Sequence, residues 1–188
     1  MIFPFFRRRA QPDTISTLYG MIVAQARLPC FYRDYGVPDT VNGRFDLIVL
    51  HMSLFLRRLA HEPVTIRALG QGVFDQFCWD MEQNMREMGV GDLAVPKEMR
   101  GIGAAFYGRS QAYEAALGAA DSAALTTALA RNVYGQSTSQ GAPQTPAAGR
   151  LAAYMHEVVG HLALQDGAAV ARGELSFPDP AGVLMPRA

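Results

Sequence analysis

The sequence predicts an all-α protein: a single multi-helix bundle domain with a flexible linker, an extra C-terminal helix and an extended tail. Three observations carry that reading. Apolar residues recur at helical spacing along most of the chain, no stretch alternates apolar and polar residues as a half-buried strand does, and glycine or proline punctuates the intervals between periodic segments. A chain of 188 residues with 49% hydrophobic residues is long enough for one core that needs no disulfide staples.

Residues 1–12 form a basic and aromatic arm that begins "MIFPFFRRR". Phe3, Phe5 and Phe6 precede Arg7, Arg8 and Arg9, which reverses the order of a secretory signal. Two readings stand for it: contact with an anionic membrane face, each arginine contributing about 1 kcal/mol near the surface, or a loose terminus. The helical domain spans 13–135. Asp13 suits the cap of a helix with Ile15, Leu18, Tyr19, Ile22 and Ala26 inward, and Pro29 closes it. A turn-rich stretch from Cys30 to Gly43 follows.

From Phe45 to Ala60 apolar residues cover most of the helical wheel, which predicts a central helix. Its polar edges are Asp46, Ser53 and Arg57 on one side and His51 and Arg58 on the other. The next helix runs from about Val64 to Gly89, with Gly70 and Gly72 as points of close packing and "VGDLAV" as the connection after it. Pro96 suits the first turn of a helix whose stripe is Met99, Ile102, Phe106, Tyr113 and Leu117. Inside that pattern "GIG", 101–103, reads as a site where a neighbouring helix approaches closely. Asp121 caps a short helix that buries Leu125, Ala128, Leu129 and Val133 and stops at Gly135.

Residues 136–149 have the composition of a linker or long loop. Residues 150–167 form a C-terminal helix packing on the domain through Leu151, Met155, Val158 and Leu162, and 168–188 form an extended tail with three prolines near its end.

Composition and motifs narrow the function. Seventeen basic and 17 acidic residues leave no net charge, so no direct nucleic-acid contact of the strongly basic kind is expected. Cys30 and Cys78 belong to no CxxC pair, which fits a reducing compartment and small buried thiols. The apolar stretch from Phe45 to Leu59 carries charges and is too short to span a bilayer. "HEVVGH", 156–161, spaces its histidines five apart where a zinc-protease helix needs four, so His156 and His161 would lie about 140° apart. There is no GxSxG elbow, no phosphate-binding P-loop and no dinucleotide fingerprint. The sequence therefore predicts no catalytic residue, no metal and no cofactor.

Three pieces taken together resemble the ubiquinol–cytochrome c chaperone family: "GRFDLIVLHMSLFLRRL" at 43–59, "DQFCWDMEQNMREMGVGDLAVPKEMR" at 75–100 and "AFYGR" at 105–109. Their order and spacing are specific where no single piece is, and the resemblance covers roughly residues 13–135. It implies a helical assembly chaperone for respiratory complex III that binds newly made cytochrome b as its client. Mitochondrial members act with a small partner protein and near the ribosome, so the resemblance extends both to the expected partners. The lack of a long presequence leads to the expectation of a bacterial form, cytoplasmic and peripheral to the cytoplasmic face of the inner membrane. The alternatives are a non-catalytic adaptor or scaffold for another membrane complex, and an enzyme with an unrecognised site.

The candidate partner-binding residues are Asp75, Trp79, Glu82, Arg86, Tyr107 and Arg109. Trp79, the one tryptophan, lies roughly 150° from the centre of the stripe formed by Phe74, Phe77, Cys78, Met81, Met85 and Met88, among charged neighbours. It either meets a partner as a rigid aromatic anchor or is buried against a second neighbouring helix. Tyr107 poses the same choice, and the methionine stripe reads as core rather than as an adaptable groove.

Overall fold

The computed structural model describes residues 12–119, 122–135 and 146–184. Within them the chain forms nine helices and no strand: α1 (Pro12–Ala26), α2 (Pro29–Arg33), α3 (Val41–Ala60), α4 (Val64–Glu87), α5 (Val95–Gly118), α6 (Ser122–Asn132), α7 (Pro146–Ala163), α8 (Gly167–Ala171) and α9 (Pro180–Leu184).

The core is built around α3, which packs on α1, α4, α5 and α7. Its apolar residues cover nearly the whole wheel, and Leu47, Val49, Leu50, Met52 and Phe55 are fully buried. Each such side chain contributes about 1.5–3 kcal/mol of burial free energy. The Thr40 side chain starts α3 by accepting from the Gly43 amide at 3.1 Å. Gly89, at φ 85°, ends α4 and lets the Val90 amide reach back to the Met85 carbonyl. Gly135, at φ 64°, likewise follows α6. Gly70 and Gly72 are contact points, since a Cβ at either would press on Leu56 or Ile15 respectively.

Several expectations are corrected. Asp13 lies inside the first turn of α1 rather than before it, and Asp121 falls outside the described residues. Pro29 closes α1 and also opens α2, because its fixed φ suits a first helical turn. Asp46, His51 and Ser53 are buried rather than on polar edges, since α5 and α7 cover both flanks of α3. Gly101 and Gly103 have nothing within 4 Å of the position a Cβ would take, so "GIG" is a gap in α5's side chains and not a close approach. Residues 146–149 are not loop: α7 begins at Pro146, and Ala148 is fully buried. The tail is not uniformly extended either. It contains α8 and α9, joined by a strap whose Leu175 is buried.

Candidate functional site

Helix α4 is flanked by α1 and α5. On the α1 side the Tyr19 hydroxyl donates to Asp80 at 2.7 Å, and on the α5 side Phe74 meets Phe106 and Tyr107. Between these flanks lies an outer strip of Asp75, Trp79, Glu82 and Arg86. Trp79 is 58% exposed, so the reading that buries it against a second helix is overturned. Arg86 bridges Glu82 at 2.8 Å and Asp92, tying the α4–α5 turn to this strip, while Asp75 accepts from Gln71 at 2.7 Å. Phe77 and Met85 are buried, as the core reading of the stripe requires, but Met88 closes α4 at 62% exposure. Leu93, which carried no signal in the sequence, stands wholly in solvent next to Asp92.

Tyr107 is also exposed, at 63%, but on a different surface. Phe74 and Trp79 are five residues apart, about 140° around the helix, so the Tyr107 flank and the Trp79 strip face different directions. Tyr107 stands over an open groove between α3 and α5, of about 310 Å³, which continues as a second of about 300 Å³ between α3 and α4. Leu56, Phe106 and Tyr107 line both. Arg57 and Glu114 pair across the rim of the first, and the Ser53 and Ser110 hydroxyls share a hydrogen bond of 2.7 Å beside it.

Arg109 turns inward. Its Nε lies 2.8 Å from the Asp46 carboxylate and its guanidinium sits over the Phe45 ring, 5.5 Å from the centroid. The N–H is poorly aligned with the oxygen, so the pair is held by charge more than by a well-directed hydrogen bond. Burial outweighs Arg109's attraction and pushes the Asp46 carboxyl up to about 6. The six candidate residues thus divide: Asp75, Trp79, Glu82 and Arg86 share one strip, Tyr107 stands on a separate groove, and Arg109 belongs to the interior as a bond between α3 and α5.

The remaining polar cluster was not read from the sequence. His51 is fully buried, and its Nδ1–H donates to the Leu47 carbonyl at 2.7 Å, which leaves Nε2 to accept from the Tyr154 hydroxyl at 2.9 Å. Gln25 donates to that hydroxyl at 2.9 Å and to the Pro178 carbonyl at 3.1 Å. Tyr35 donates to the Pro180 carbonyl at 2.7 Å, and the Phe177 ring stands edge-on to His51. The imidazole is pushed down to about 4, because burial disfavours its cation. These ties fix α1, α3, α7 and the strap to one another. His161 bonds Ser176 at 2.9 Å, while His156 is exposed. Among the described residues no three His, Cys, Asp or Glu side chains are grouped to hold a metal ion, and no helix is long and apolar enough to cross a membrane. The arm residues Phe3, Phe5, Phe6, Arg7, Arg8 and Arg9 lie outside the described residues.

Fold and surfaces together define an all-helical protein whose buried polar groups lock the core and whose aromatic side chains are displayed on open faces. The sequence matches the model of the ubiquinol–cytochrome c chaperone family over residues 33–177, and the chain belongs to that family. The match runs past residue 135, so α7, α8 and most of the strap lie within the matched region, beyond the limit the motifs alone suggested. The fold is similar to the crystal structure of the Cbp3 homolog from Brucella abortus, with 37% identity and a TM-score of 0.80, covering 96% of this chain and 98% of that one. A search of curated proteins gives no match.

Proposed function

We propose that this chain is an assembly chaperone for respiratory complex III that binds newly made cytochrome b until it is assembled, without catalysis of its own. The observation that carries the reading is the family match over residues 33–177. The physical features support it: a membrane-protein client must be held briefly and released, which suits open aromatic and charged faces. The chaperone works at the cytoplasmic face of the inner membrane, where the arm of residues 1–12 gives weak surface contact, and a small partner protein or the ribosome completes its setting. The test is a deletion strain assayed for complex III haem spectra, with cytochrome b co-purification on the tagged chaperone. Loss of the complex III signal, restored by the wild-type chain, is the expected result. Normal spectra in the deletion strain and no cytochrome b on the tagged protein would refute it.

A further inference from the structure

The charge balance of the chain is not uniform. Residues 74–94 carry five carboxylates, Asp75, Asp80, Glu82, Glu87 and Asp92, against the single Arg86. The same segment holds three of the seven large hydrophobic side chains that stand exposed among the described residues: Trp79, Met88 and Leu93. Asp80 is engaged by Tyr19, and Arg86 is shared between Glu82 and Asp92. Asp75 and Glu87 are exposed and have no ion-pair partner among the described residues. Among the described residues no other helix covers Trp79.

Resting on the reading of a membrane-protein client, we propose that this outer face of α4 and the turn after it dock a Lys/Arg-rich cytoplasmic loop of the client where the loop joins an apolar membrane-spanning stretch. Charge complementarity selects that occupant. Cytoplasmic loops of membrane proteins carry an excess of Lys and Arg close to the ends of their spans. Asp75, Glu82 and Asp92, offset only by Arg86, supply the opposite charge, and the open face of the Trp79 indole attracts a cation by its quadrupole. Leu93, beside Asp92 in the turn that Arg86 ties to the strip, offers apolar contact to the first residues of the span. Tyr107 and Arg109 have no part in this surface.

Because Trp79 is the sole tryptophan, intrinsic fluorescence reads this face directly. The probe is a synthetic Lys/Arg-rich peptide with a short leucine-rich end, titrated into the full chain beside a matched peptide in which Glu replaces every base. The basic peptide should shift Trp79 emission to the blue and bind more weakly as salt rises, and the acidic peptide should do neither. Asp75→Lys with Glu82→Lys should weaken peptide binding by about tenfold or more and deplete co-purified cytochrome b, with circular dichroism unchanged because both side chains are on the surface. Equal binding of the two peptides, or undiminished binding by the double variant, would overturn the proposal. So would a site that opens only when residues 1–11 are removed, which would make the chain's own Arg7–Arg9 arm the occupant. If the client reading alone is wrong, the titration succeeds while wild-type chaperone brings down no cytochrome b, so the two failures are told apart.

Discussion

Replacing His51 by phenylalanine should change the pH dependence of stability in a direction set by the histidine's surroundings. In the folded chain the imidazole is held neutral at about 4, against 6.5 for the free side chain. The folded value is depressed, so on acidification the unfolded chain takes up the proton first. His51's contribution is therefore present above pH 6.5 and is lost as pH falls through 6.5 toward 4. Between pH 6.5 and 5 that is about 1.5 units at 1.36 kcal/mol each, or about 2 kcal/mol. Asp46 acts with the opposite sign: its carboxyl is raised from 3.8 to about 6, so its contribution is present below 3.8 and lost as pH rises through 6. Over the same window it returns about 1 kcal/mol on acidification, which flattens the profile of the wild-type chain.

Comparing variant with wild type removes every other titrating group. Urea unfolding at pH 7.5 and pH 5 should show that the deficit of His51→Phe, whatever its size at pH 7.5, shrinks by about 2 kcal/mol at pH 5. Asp46→Asn should show the reverse, its deficit growing by about 1 kcal/mol over the same change. An equal His51→Phe deficit at the two pH values would refute the assignment of a neutral buried imidazole. Nitrogen NMR on the wild type should independently find the proton on Nδ1, where the Leu47 carbonyl accepts it.

Four further substitutions test the packing. Gly101→Ala and Gly103→Ala should each stabilise the chain by about 0.5–1 kcal/mol, because a methyl group in α5 meets nothing within 4 Å and glycine is a poor helix residue; a loss in melting temperature would contradict the geometry. Gly43→Ala should cost about 1–3 kcal/mol, since its Cβ would fall on the Pro38 carbonyl, which as backbone cannot swing aside; a chemical denaturation curve suffices to check it. Arg58→Ala should cost about 2–3 kcal/mol, because Arg58 donates to the Leu162 carbonyl at 2.8 Å and the Gln165 carbonyl at 2.7 Å and pairs with Glu62 at 2.5 Å. Amide exchange should then quicken at the end of α7, and exchange left as slow as in the wild type would deny Arg58 its capping role.

The helices were legible because each buries a stripe against the rest of the chain, and a stripe is a local pattern. Ile22, Phe55, Phe77, Leu129 and Val158 are all fully buried where periodicity placed them. What stayed hidden depends on which elements become neighbours. On the wheel Asp46 and His51 look like the polar edges of a half-exposed helix. They are interior because Arg109 and Tyr154, 63 and 103 residues further on, arrive to satisfy them. Trp79 had two consistent answers for the same reason: its place on the charged side of α4 is compatible with a covering helix or with none, and the described residues supply none. "GIG" failed in the other direction. Paired glycines permit a close approach, but whether a helix comes there is decided elsewhere in the chain.

The segment after residue 135 carries no recognisable motif for the same reason, although it is integral to the fold. Its ties are side-chain bonds to distant backbone or to single partners: Tyr154 to His51, Gln25 to the Pro178 carbonyl, Tyr35 to the Pro180 carbonyl and Arg58 to the end of α7. Bonds to a carbonyl place no demand on the identity of the residue that carries it, so the strap's sequence is free to look like an unstructured proline-rich tail. Each buried donor or acceptor nonetheless has one geometric solution, and leaving it unmet costs about 1–3 kcal/mol. The tail's position is therefore specified in large part by Gln25 and Tyr35, and that of α7 by His51 and Arg58, side chains outside both segments. The acidic outer strip of α4 is the contrasting case: its side-chain bonds are to near neighbours, Gln71 to Asp75 and Arg86 to Glu82 and Asp92, and Trp79 stands exposed, so the strip is in plain view in the sequence and faces a partner.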